Sequence, residues 1–102
     1  MMSAEYSRLI QQDLKHLEER LMKNEEMSTA EIKDGISFLI RTIKYAEGKN
    51  SEVYSQALRL LKSYWEKLPP SEIKNGIVKI SDTTFLGKGE NGTFVVYEVI
   101  ND

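Results

Sequence analysis

A sextet of residues recurs in this chain with one change, Asp34 to Asn75. Glu31-Ile32-Lys33-Asp34-Gly35-Ile36 returns 41 residues later as Glu72-Ile73-Lys74-Asn75-Gly76-Ile77. Holding that offset from Glu31 to Asn50 matches 8 of 20 positions, among them Thr42 with Thr83, Gly48 with Gly89 and Asn50 with Asn91. After an indel the match extends upstream: Tyr6-Ser7 answers Tyr54-Ser55, Leu14-Lys15 answers Leu61-Lys62, and Glu19-Arg20-Leu21 answers Glu66-Lys67-Leu68. Self-similarity at a fixed period marks repeated supersecondary units. With 102 residues, 40% of them hydrophobic, there is material for one small core. The expectation is one domain, residues 1–102, made of two copies of a motif, 3–50 and 51–102.

Each copy opens with an amphipathic stripe. Tyr6, Ile10, Leu14, Leu17 and Leu21 recur at helical spacing, with Ser3 as N-cap and Glu5 at the positive end of the helix. Tyr54, Ala57, Leu58, Leu61, Trp65 and Leu68 do the same in the second copy, capped by Asn50 or Ser51. Val53, Leu60 and Tyr64 widen that second stripe, so the second helix is expected to be the more central one. Pro69-Pro70 stops it, because proline supplies no donor and disfavours helix in the residue before it. A short helical turn follows each stripe. Ser28-Thr29-Ala30-Glu31 has capping-box spacing and Gly35 is placed as a C-cap; in the second copy Pro70 starts the turn and Gly76 closes it.

The remaining segments are expected to be strands. Thr93 to Ile100 is rich in β-branched and aromatic residues, and Asn91-Gly92 before it is a strong signal for a two-residue hairpin turn. Residues 36–46 carry Ile36, Leu39, Ile40 and Ile43 at helical spacing, but alignment with the second copy assigns them to a strand. The resulting fold class is α+β, ordered α-β-α-β-β, with the helices packed on one face of a small antiparallel sheet.

Composition excludes several chemistries. Cysteine is absent and His16 is the single histidine, which removes disulfides, thiolate nucleophiles, Cys zinc sites and His-pair metal sites. No apolar run approaches the roughly 20 residues that span a bilayer. Glu5, Tyr6, Ser7 and Arg8 stand where a signal peptide would be apolar, so an intracellular soluble protein is expected. The formal net charge is −2, spread evenly, with no basic run of the kind that displaces counterions from nucleic acid.

Gly87-Lys88-Gly89-Glu90-Asn91-Gly92 resembles the glycine-rich loop of protein kinases over about ten residues. A strand rather than a helix follows it, against a dinucleotide fold, and hairpin glycines explain it better. Ile77 to Ile100 also resembles the opening hairpin of a phox-homology domain, whose further strands and helices have no counterpart here. His16 stands opposite the leucine stripe, without a carboxylate or hydroxyl at i+4. Glu18-Glu19 and Glu25-Glu26 point apart around a helix, so both pairs read as a solvated face. Trp65, Tyr64, Tyr54, Tyr6 and Tyr45 fall mostly on the helix stripes and read as core.

Cysteine-free, tandemly repeated and rich in lysine, glutamate and isoleucine, the chain resembles the small proteins of filamentous viruses of hyperthermophilic archaea such as Acidianus. The resemblance implies a viral protein in the host cytoplasm and carries no activity. No set of convergent polar groups points to an enzyme, a cofactor or a metal. Strand 94–100 is apolar on both faces, so one face is expected to meet solvent, a second copy or a partner. The expected function is a non-enzymatic module that binds a protein or peptide, or itself as a homodimer. Binding would occur in a groove between the repeats or by addition to a sheet edge. Candidate contacts are Tyr45, Phe85, Phe94, Val96, Tyr97 and Ile100; the alternative is a nucleic-acid-associated viral regulatory protein.

Gly92→Val tests the turn. A β-branched residue resists positive φ, so thermal denaturation should register a loss on the order of 1–3 kcal/mol. An unchanged melting temperature would place the turn elsewhere.

Overall fold

The computed structural model describes residues 4–100. The order is α1 (Ala4–Met22), α2 (Thr29–Ala46), α3 (Ser51–Lys67), a 3-10 turn (Pro70–Glu72), then β1 (Ile73–Lys74), β2 (Ile77–Lys79), β3 (Thr84–Lys88) and β4 (Phe94–Glu98). The fold is α+β, with three helices and one antiparallel four-stranded sheet. Two compact units divide it, one running through Lys67 and the other starting at Leu68. That division does not fall at the 50/51 boundary of the sequence repeat.

In the helical unit, local sequence sets the ends of the elements. The expected N-cap Ser3 lies outside the described residues. α1 closes on Asn24, whose φ is 52°; its N–H reaches the Leu21 carbonyl, and that of Glu25 reaches Arg20. This is a Schellman closure with asparagine in the left-handed position. α2 starts with the expected capping box: the Glu31 N–H donates to Ser28 Oγ and the Ser28 N–H to Glu31 Oε1. Asn50 caps α3, its Oδ1 accepting from the Val53 N–H at 3.1 Å, and α3 ends at Lys67, ahead of Pro69-Pro70.

The helices pack on one another. α3 contacts both α1 and α2 and so takes the central place that its wider stripe implies. Val53, Ala57, Leu60, Leu61, Tyr64 and Trp65 of α3 are buried, as are Ile10 and Leu14 of α1 and Ile32, Ile36, Leu39 and Ile40 of α2. Trp65 and Tyr64 are core residues as expected. The Tyr64 hydroxyl donates to the Leu17 carbonyl at 3.0 Å. Burial raises the pKa of this phenol, since the neutral form is favoured away from water.

The strand expected at 36–46 is helix. Ile36, Leu39, Ile40 and Ile43 follow the helical period, and all but Ile43 are buried along α2. Gly35 is no C-cap; it lies inside α2, where a Cβ would stand 2.8 Å from Tyr64 Cε2 and glycine leaves room for the ring. Its counterpart Gly76 has a φ of 75° in a hairpin turn. The two copies therefore share sequence without sharing a fold, and the α-β-α-β-β order becomes three helices followed by four strands.

The sheet unit is a meander in the order β1-β2-β3-β4. Lys74 pairs with Ile77, so Asn75-Gly76 forms a two-residue loop. Both residues have positive φ, 54° and 75°, as a type I′ turn requires. The second hairpin turns differently from the expectation. The Gly89 N–H bonds the Thr93 carbonyl and the Gly92 N–H bonds the Gly89 carbonyl. Asn91 Oδ1 accepts from the Thr93 N–H, and Gly92 alone carries the positive φ, 83°. This is a three-residue loop, a type I turn followed by a left-handed glycine. Phe85 therefore pairs with Tyr97 and Leu86 with Val96, one residue away from the pairing of a two-residue loop.

Two outcomes follow from the helical unit. Gly35→Ala should destabilise by about 1–3 kcal/mol through overpacking against the Tyr64 ring, where alanine in an open helix site would stabilise; a raised melting temperature would contradict this. Ser28→Ala should cost about 1 kcal/mol through loss of the capping box, measured by urea denaturation.

Candidate interaction surface

Register decides which side chains of the sheet act together. Residues opposite each other in a ladder project to the same face. Ile77 is opposite Gly87, and Gly87 opposite Val95; Lys79 is opposite Phe85, and Phe85 opposite Tyr97. The other face aligns Val78, Leu86 and Val96. Val78 and Leu86 are fully buried, and Val96 and Phe94 partly so. On the first face Ile77, Val95 and Tyr97 are 37%, 45% and 48% exposed. Val99 continues that face at 46%, held by its N–H to the Thr83 carbonyl at 2.8 Å.

Gly87 shapes the patch. A Cβ at Gly87 would lie 3.1 Å from Tyr97 Cε2 and 3.6 Å from Ile77 Cγ1. The phenol ring of Tyr97 thus covers the strand where it lacks a side chain, and joins Val95 and Phe85 to Ile77 in one apolar surface.

β4 is terminal in the sheet. Its bonds to β3 use the odd-numbered residues, as the Gly89–Thr93 and Thr83–Val99 bonds fix the alternation. The N–H and C=O of Val96, midway along β4, consequently point away from β3. Exposed strand edges of this kind are templates for a further strand.

Of the expected contact residues, Tyr97 lies on the exposed face and Phe85, half-buried, lies beside it. Phe94 and Val96 fall on the opposite face, as alternation along the strand requires; the one-residue register difference moves Phe85 from their face to that of Tyr97. Ile100, 84% exposed, lies beyond the end of β4. Tyr45 belongs to the helical unit, at the end of α2, where its ring centroid is 4.7 Å from that of Tyr6 and Lys49 Nζ lies 4.9 Å from its ring centre. Ile77, Val95 and Val99 were not among the expected contacts; alternation along strand 94–100 already groups Val95 and Val99 with Tyr97.

The helical unit offers shallow clefts. One, of about 290 Å³, is lined by Asp13, His16, Arg20, Asp34 and Phe38. Arg20 is already engaged with Glu31 and Glu25. The Arg20 guanidinium, helped by the Ser28 N–H and hydroxyl, holds the Glu31 carboxyl below its ordinary range, and Glu31 holds Arg20 above its own. Among the described residues no group of three or more His, Asp or Glu is placed to hold a metal ion. No described helix is long and apolar enough to cross a membrane.

The lowered Glu31 pKa sets a pH dependence. A carboxyl with a depressed folded-state pKa stabilises fully above its unfolded value, and that contribution is lost as pH falls through the folded value. Wild type should lose its advantage over Glu31→Gln on acidification below the ordinary carboxylate range, followed by melting temperature across pH. In the sheet unit, Tyr97→Ala should cost about 0.5–1 kcal/mol through loss of its cross-strand contacts, measured by thermal denaturation. Set against protein-family models, curated proteins and solved structures, the chain matches none of them.

Proposed function

We propose that this chain is a non-enzymatic interaction module that takes an extended polypeptide segment along β4. One observation carries this reading: the terminal strand of the sheet also bears the apolar residues Val95 and Tyr97 exposed on one face, with Val99 exposed just beyond its end. Added strands gain main-chain hydrogen bonds from such an edge, and alternate side chains of the incoming strand meet the exposed face. Apolar surface of this kind on a small domain commonly marks a contact site. A groove between equivalent repeats plays no part in the reading, because the copies fold differently. The abundance of lysine and glutamate supports a heat-adapted source; the resemblance to small proteins of archaeal filamentous viruses would make that source viral and place the module in the host cytoplasm.

A displayed library of random octapeptides, panned on dilute protein, tests this reading. The selected sequences should be β-prone with apolar residues at alternate positions. Val96→Lys, which places a charge midway along β4 on its half-buried face, should reduce their binding at least tenfold when assayed well below the variant's own melting transition. Failure to select such peptides, or equal binding by Val96→Lys, would overturn it.

A further inference from the structure

We infer that a cleft between α1 and α2 binds a small aromatic carboxylate, whose ring lies against Phe38 and Tyr45 and whose carboxylate is taken by Arg41. The site belongs to the helical unit and stands apart from the β4 reading. Two helical stripes build it. On α2, Phe38, Arg41, Thr42 and Tyr45 follow one another at i, i+3, i+4 and i+7, and on α1 Tyr6 and Ile10 stand at i and i+4. These residues line a cavity of about 260 Å³. The main neighbour of α2 is α3 rather than α1, so side chains close the space between α1 and α2. Ile10 and Thr42 are buried there, while Tyr6 and Tyr45 are 44% and 38% exposed.

The walls select a ring. The Tyr6 and Tyr45 rings come from different helices, meet at 4.7 Å between centroids and close the cleft at one end. Phe38, half-buried, stands seven residues back along α2, about 10 Å at the helical rise. Aromatic rings associate at centroid separations of about 4.5–7 Å, so a ligand ring between Phe38 and the tyrosine pair finds partners on both sides. The cavity is smaller than the roughly 300–1,000 Å³ of sites for drug-sized ligands. It suits one ring with a short acidic arm and is too small for a nucleotide.

Charge selects the acid. Among the described residues that line the cleft, Arg41 is the charged one, and it is exposed. It gives one N–H to Ser37 Oγ at 3.1 Å. A guanidinium has five N–H donors in a planar fork, two of which match a carboxylate. The Thr42 hydroxyl, by contrast, is committed to the Phe38 carbonyl at 2.9 Å. Lys49 Nζ, 4.9 Å from the centre of the Tyr45 ring, adds positive charge at that end. Asp13 and Asp34 line a neighbouring cleft that shares Phe38. Asp34 is seven residues from Arg41, about 10 Å along the axis, so physiological salt largely screens its repulsion of a bound carboxylate.

Amide chemical-shift titration with phenylacetate tests this. Phenylacetate should bind at millimolar concentration or below and shift the amides of Ile10, Phe38, Thr42 and Tyr45. Benzylamine, which keeps the ring and reverses the charge, should bind at least tenfold more weakly. Cyclohexylacetate, which keeps the charge and loses the aromatic ring, should bind severalfold more weakly. Arg41→Gln should weaken phenylacetate at least fivefold and leave benzyl alcohol unchanged, whereas Tyr45→Ala should weaken both. Circular dichroism melting confirms that each variant is folded. Absence of shifts at millimolar phenylacetate overturns the inference, as do shifts that fall on β4 instead of the cleft. Benzylamine or cyclohexylacetate binding as tightly as phenylacetate, or indifference to Arg41→Gln, overturns it equally.

Discussion

One side chain ties the helical unit together. Tyr64 projects from α3, lays its ring against the Cα of Gly35 in α2 and donates its hydroxyl to the Leu17 carbonyl of α1. Three helices are thus indexed by one residue, through a close approach on one side and a directional bond on the other. A tyrosine buried without that acceptor would carry a desolvation cost of about 1–3 kcal/mol. A Cβ in place of the Gly35 hydrogen would displace the ring that makes the bond. The glycine inside α2, unfavourable for an isolated helix by about 1 kcal/mol, is retained by a tertiary requirement.

What could be recognised from sequence divides by range. The Ser28–Glu31 capping box, the Asn50 cap and the stop at Pro69-Pro70 involve partners within three residues, and each is formed as the local chemistry dictates. The central position of α3 was legible because Val53, Leu60 and Tyr64 broaden its apolar stripe. In 36–46 the helical period of Ile36, Leu39, Ile40 and Ile43 prevails over the similarity to 77–87. The shared sextet has two solutions. After Ser28 it continues a capped helix, and after Pro69-Pro70 it enters a hairpin.

The two Asn-Gly pairs teach a related lesson about the interaction surface. Asn75-Gly76 and Asn91-Gly92 are identical dipeptides in different loops. The first forms the tight two-residue turn. At the second, Gly89 and Thr93 close the ladder outside the pair, and the Asn91 side chain bonds forward to Thr93. A dipeptide does not determine loop length; its flanks do. That single extra residue exchanged the faces of β4 relative to β3, and with them which aromatic residues meet solvent.

The order of the sheet bears on how quickly it can assemble. Every strand pairs only with its neighbours in sequence, across short loops whose turns are chemically specified. Closing short loops is entropically cheap, and topologies dominated by such local pairing fold faster than those that join distant segments. Pairing can begin at Asn75-Gly76 and extend strand by strand without waiting for a remote partner. β4 is added last in that sequence and has a neighbour on one side only. Its release breaks one ladder, the five pairs to β3, and leaves β1, β2 and β3 paired, so local opening and access to the proposed docking edge share a single element.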